Sequence, residues 1–168
     1  MPSPPLTPLA AAVLHVGSPE RILQVQCGDG AGTLFLAREF PSARVRGVDS
    51  SAEAIRAATG RVGLDPEGRI AFKQGTPRAL PFPADHFDLL AAQDARPAAA
   101  EAARVLRPGG FLVLAAGDRP EVLAGLGGAF FRRRLARRGL GPIWAEAAGE
   151  GSFFVFRLRG GGPVRDSL

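Results

Sequence analysis

The 168-residue sequence has no asparagine and no tyrosine, and only one lysine, one cysteine, one methionine and one tryptophan. A lone cysteine, Cys27, excludes an internal disulfide and makes a cysteine-based zinc site implausible. No apolar run approaches the roughly 18 residues of a membrane span. The apolar stretch within MPSPPLTPLAAAVLHVG has no preceding positive charge, so it does not read as a signal peptide. Cytoplasm is the default location, with no membrane partner. The scarce residues have AT-rich codons, whereas Arg, Ala, Gly and Pro abound. A GC-rich genome therefore explains the arginines more simply than a selected arginine function. The net charge of +5 and pI near 11.1 permit attraction to nucleic acid or acidic surfaces without establishing it. The hydrophobic fraction of 46% and charged fraction of 22% are those of an ordinary globular protein, and the length suits one domain with a sizeable core.

The pattern along the chain divides it into a Pro-rich arm over residues 1–18, with one short helix, a single domain over residues 19–159 and a flexible tail over residues 160–168. Within the domain, apolar β-rich segments alternate with helix-like ones, as in an α/β fold with a mostly parallel sheet. Strands are expected over residues 21–26, 43–48, 69–73, 87–92 and 111–116. Helices are expected over residues 32–40, from Ser50 or Ser51 to Gly60, over 98–106 and over about 120–138. Pro108-Gly109-Gly110 reads as the stop of the third of these helices. Residues 141–148 and 152–158 read as an antiparallel pair around a Gly-Glu-Gly turn.

The chemistry concentrates after the first strand, in Cys27-Gly28-Asp29-Gly30-Ala31-Gly32. Glycines let a backbone take positive φ and approach a ligand closely. The amides of a following helix N-terminus favour a polar or anionic group. A tight connection is the competing account of such a turn. Asp49 ends the second strand, 19 residues after Gly30. A βαβ unit places there an acid that accepts hydrogen bonds from a ribose diol, each worth roughly 1.5–3 kcal/mol when charge-assisted and buried. Its competing role is to cap the next helix together with Ser50.

Four segments in order resemble the class I S-adenosylmethionine-dependent methyltransferases, within them the type 11 group: RILQVQCGDGAGTLFLA, VRGVDSSAEAIRAA, GTPRALPFPADHFDLL and EAARVLRPGGFLVLAA. The resemblance covers residues 21–116. It implies a Rossmann-like, seven-stranded, mostly parallel sheet with helices on both faces and a C-terminal antiparallel hairpin. It also implies S-adenosylmethionine as cofactor and methyl transfer to a small-molecule acceptor; a catalytically inactive methyltransferase-like binding domain is the alternative. Carried over to this chain, Gln26, Cys27, Gly28 and Gly30 form the cofactor loop, and Asp49 with Ser50 holds the ribose. Thr76 and Pro77 flank the adenine, and Gln93 lies near the methyl-transfer end.

This chain departs from the family at Gln24 and Thr76, where acids are usual, and at Gln26, where glycine is usual. A Gln26 side chain would either block the pocket or bond to the methionine part of the cofactor. If the backbone takes positive φ there, a non-glycine residue costs roughly 1–2 kcal/mol. Only QDARPAAAEAA separates the fourth strand from RVLRPGG, which implies a shallow substrate site. Asp94 is the weak catalytic candidate, against a role as a solvated loop acid starting the next helix. His86 is expected at the opposite end of its strand from the site, and His15 as a surface or packing residue. The arginines of FFRRRLARRGL read first as a solvated helix end, and RNA binding is the lesser reading. Phe130, Phe131, Trp144, Phe153, Phe154 and Phe156 read as core around the closing strands, with any exposed subset available to a homodimer interface.

Overall fold

The computed structural model describes residues 6–160. Seven strands form one sheet in the order β3-β2-β1-β4-β5-β7-β6. They are β1 (Arg21–Val25), β2 (Arg44–Asp49), β3 (Ile70–Gln74), β4 (Phe87–Gln93), β5 (Leu106–Ala116), β6 (Leu140–Ala148) and β7 (Gly151–Leu158). The first five are parallel, and β7 is antiparallel to both β5 and β6. This is the sheet and closing hairpin that the sequence implies.

Alternation along β5 splits the core between two faces. Val113 and Ala115 pack on one side with Leu36 and Ala37 of α2 (Ala31–Glu39). Leu112, Leu114 and Ala116 pack on the other with Ala102 and Val105 of α4 (Ala99–Val105) and Phe131 and Leu135 of α5 (Gly125–Arg137). The intervening helix, α3 (Ala52–Arg61), is capped by Ser51, whose Oγ accepts from the Ala54 amide at 3.2 Å.

Three segments differ from expectation. The short helix expected within the Pro-rich arm is α1 (Thr7–Ala12), followed by a 3-10 turn, but it packs onto the domain. Leu9 and Ala12 are fully buried there, in the core cluster that includes Val113, Phe153 and Val155. Residues 9–16 belong to the core because their apolar residues recur at helical spacing, which the surrounding prolines mask. Residues 1–5 and 161–168, with most of the expected tail, lie outside the described residues. Secondly, Pro108-Gly109-Gly110 does not end α4. The helix stops at Val105, and β5 runs through these residues with its register shifted between Phe87 and Leu89. Thirdly, the expected helix over 120–138 is two pieces, a 3-10 turn (Pro120–Val122) and α5. Gly125 has φ +71°, a left-handed conformation through which a right-handed helix does not continue.

Of the closing aromatics, Phe131, Phe153 and Phe156 are buried, whereas Phe130 and Trp144 are exposed. His15 is a packing residue, stacked on Trp144 with ring centroids 4.7 Å apart. No helix among the described residues is long and apolar enough to cross a membrane.

Candidate functional site

The parallel strands β1, β2 and β4 end together at one edge of the sheet, where open α/β folds bind ligands. A cleft of about 710 Å³ lies there, lined by Gln26, Asp49, Ser50, Gln93 and Asp94 from the strand ends, together with Ala95, Arg96, Arg119, Glu121 and Val122. The sheet order explains the meeting: β1 lies between β2 and β4, so residues 20 or more apart in sequence reach a common point.

Asp49 organises the turn after β1. Its Oδ2 accepts from the Gly28 amide at 2.9 Å and its Oδ1 from the Ser51 amide at 2.9 Å. The Asp49 carboxylate thus steadies the glycine turn and shapes the approach to α3. Each oxygen has a second lone pair, so further acceptor capacity remains. Gly30, with φ +84°, is the N-cap of α2. A β-carbon there would come within 3.0 Å of Ala58 and the Phe72 ring, so the turn can sit this low only with glycine.

Gln26 takes φ +57°. It is exposed, borders the cleft, and makes no hydrogen bond among the described residues. Gln24 behaves differently. Alternation on β1 turns it to the α2 side, where it is buried and accepts from the Thr33 hydroxyl at 2.6 Å. It occupies the space beside Gly32, where an added β-carbon would meet its side-chain amide. Gln24 thus joins strand to helix and does not line the cleft. Cys27 is buried under the turn, and a β-carbon on Gly47 would lie 3.0 Å from its Sγ. Burial, reinforced by the charge of Asp49, pushes the thiol up to about 12, so it is protonated at neutral pH.

Asp94 also has positive φ, +52°, and its carboxylate is occupied by backbone. It accepts from the amides of Gly117 at 2.8 Å, Arg119 at 2.9 Å and Asp118 at 3.3 Å. These bonds tie the end of β4 to the loop after β5, which brings Arg119 and Glu121 to the cleft. Gln93 is buried and lines the same space.

Thr76 and Pro77 are not in this lining. Gly75 donates to the Asp49 carbonyl at 3.0 Å, which keeps Thr76 close in the chain to the acid, but Thr76 is exposed. The Pro77 carbonyl accepts from the Ala98 amide at 3.1 Å, and Pro77 lines a neighbouring cleft. His86 lies at the far end of β4, with Nδ1 3.4 Å from an Arg21 guanidinium nitrogen. Burial and then the Arg21 charge lower its pKa. Among the described residues, no group of three or more His, Cys, Asp or Glu side chains is placed to hold a metal ion.

Sequence reasoning missed Arg96, Arg119 and Glu121. Arg96 is held by Nε to the Val122 carbonyl at 2.6 Å and Nη2 to the Glu121 carbonyl at 2.8 Å. No motif marks these residues, which reach the cleft through loop packing.

Residues 22–110, just over half of the chain, match the family model described as methyltransferase domain. The ubiquinone/menaquinone biosynthesis C-methyltransferase of Syntrophotalea carbinolica is 34% identical over 139 residues, which cover 77% of this chain and 58% of that protein. The fatty-acid O-methyltransferase of Mycolicibacterium smegmatis is 34% identical over 101 residues, covering 56% of this chain and 36% of that protein. The matches thus span from about a third to somewhat over half of these relatives' lengths. In fold, the chain is similar to a SAM-dependent methyltransferase from Aquifex aeolicus, with TM-score 0.74, 18% identity, and coverage of 90% of this chain and 89% of that one.

Proposed function

Because this chain belongs to the methyltransferase domain family, we propose that it transfers a methyl group from S-adenosylmethionine to a small-molecule acceptor at the cleft beyond β1, β2 and β4. The observation that carries the proposal is the convergence of Asp49, Gln26 and Gln93 on that one cleft. The residues present fit the cofactor. Asp49 retains acceptor capacity for ribose hydroxyls, Gln26 offers an unpartnered amide, and Gly28 and Gly30 hold the turn low enough for close approach.

When bound, S-adenosylmethionine supplies an electrophilic methyl group on a sulfonium. The chain's own task is then largely positional, since holding a nucleophile in line supplies much of the acceleration. Asp49 orients the ribose with Ser50 beside it, and Gln26 hydrogen-bonds the methionine end. Thr76 borders the adenine, with Pro77 behind it. Gln93 marks the transfer end. Asp94 is a positioning residue, because three amides already engage its carboxylate. A cytoplasmic location belongs to the same proposal and is supported by the single, buried thiol.

Titration calorimetry with S-adenosylmethionine and its demethylated product tests the reading. Saturable binding is expected. Asp49→Ala should weaken it about 10- to 100-fold, the loss of one charge-assisted bond of about 1.5–3 kcal/mol, with circular dichroism verifying the fold. No heat from folded protein at high micromolar ligand would return the chain to the alternative of an inactive binding domain. Binding that Asp49→Ala leaves intact would move the site elsewhere.

A further inference from the structure

Beside the strand-end cleft lies a second and larger one, of about 1000 Å³, between the Pro77–Arg78 stretch, the start of α4 and one face of α5. Five arginines line it, Arg78, Arg96, Arg134, Arg137 and Arg138, and no carboxylate does. Arg134 and Arg138 are four residues apart and so share a helix face, with Arg137 beside them. Arg133 is outside the lining, and Arg132 is turned away to the Leu123 carbonyl and the Phe154 ring.

Four guanidinium groups elsewhere in the molecule are neutralised, whereas most of those in the groove are not. Arg61, Arg104, Arg107 and Arg119 each pair with a carboxylate. The side chains of Arg78, Arg134, Arg137 and Arg138 make no ion pair and no hydrogen bond among the described residues. A cleft walled by charge of one sign concentrates counter-ions. Guanidinium forks match phosphate oxygens two at a time. Exposed Phe130 gives the same cleft an apolar wall. Arg96 is fixed by its bonds to Val122 and Glu121 and lies 5.7 Å over the Phe131 ring. It lines both clefts, which makes them contiguous.

We infer that this groove binds the phosphate or diphosphate end of a small-molecule acceptor, with Arg134, Arg137 and Arg138 gripping the anion and Arg96 standing between it and the transfer cleft. The inference rests on the methyltransferase reading above and names its substrate class.

Calorimetry on the full chain at physiological salt, with inorganic phosphate and inorganic pyrophosphate as separate probes, tests it. Saturable one-to-one binding of at least one probe is expected, and the tighter probe identifies a monophosphate or a diphosphate end. The double variant R134Q/R138Q should weaken that binding at least about tenfold, whereas R133Q, on the same helix but outside the groove, should stay within about twofold. Saturating S-adenosylhomocysteine should leave the probe's affinity within about twofold. Equal losses in R133Q would overturn the inference in favour of diffuse surface charge. Competition by S-adenosylhomocysteine would overturn it by placing the anion in the other cleft. A single-stranded RNA oligomer that binds more tightly than either probe, and is lost in R134Q/R138Q, would overturn the small-molecule assignment. If neither probe binds while S-adenosylmethionine does, the inference fails and the methyltransferase reading stands. If a probe binds and S-adenosylmethionine does not, the acceptor role falls together with that reading.

Discussion

Replacing Gln26 by glycine separates what its backbone costs from what its side chain does. The residue holds φ +57°, where a side chain costs about 1–2 kcal/mol. Of the three described non-glycine residues with positive φ, the other two are Asp85 and Asp94, a type enriched in that region. Glycine removes the strain but adds about 0.5–1 kcal/mol of chain entropy to the unfolded state. Gln26→Gly should therefore stabilise the fold by about 0.5–1 kcal/mol. For a chain of this length that corresponds to a rise in Tm of roughly 1–4 °C. Gln26→Ala keeps the strain and removes an exposed side chain, so its stability should stay within about 0.5 kcal/mol of the parent. Thermal unfolding followed by circular dichroism reads both. Because the amide has no partner among the described residues and faces the cleft, both variants should bind S-adenosylmethionine about fivefold more weakly, the equivalent of one net hydrogen bond of ~1 kcal/mol. A lower Tm for Gln26→Gly would refute the strain argument. Tighter binding by both variants would show that the side chain crowds the ligand.

Two further outcomes follow from the same region. Cys27 titrates near 9.0 when free and about 12 in the fold, so above pH 9 the unfolded chain releases a proton that the folded chain keeps. The stabilisation is complete below pH 9 and is lost as pH rises through that interval, at about 1.4 kcal/mol per pH unit. Urea unfolding should show this alkaline decline in the parent and a shallower one in Cys27→Ala, with no tyrosine to obscure the comparison; parallel curves would contradict the assigned burial. Asp94→Ala should free the amides of Gly117, Asp118 and Arg119, speed their hydrogen exchange and cost about 1–2 kcal/mol of stability. Unchanged exchange would mean that the loop is held by something else.

The sheet was legible because buried parallel strands carry continuous apolar runs, as in Leu89–Ala92 of β4 and Phe111–Ala116 of β5. The turn and its acid were legible because glycine spacing and the position of Asp49 are local features. What escaped depends on tertiary context. Pro108-Gly109-Gly110 carries turn chemistry, yet it is taken up as a bulge within β5, between Leu106 opposite Phe87 and Phe111 opposite Leu89. The prolines around Leu9 suggest a loose arm, but one face of β5 and β7 provides a surface on which its short helix buries its apolar side. Gln24 and Gln26 look alike as departures from the family pattern. Gln24 lies inside β1 on its α2 face, whereas Gln26 lies one residue past the strand's end at Val25, where a left-handed φ of +57° breaks the pleat and leaves it at the cleft.

At the far margin of the sheet, β6 has no neighbour on its outer side among the described strands. A bare strand invites a second molecule to continue the ladder. Here Pro142 contributes no amide, and the register slips between Pro142 and Trp144. The rim is therefore blunted against such growth. A second molecule continuing the ladder would meet that interruption at Pro142, beside the exposed side chains of Ile143 and Trp144.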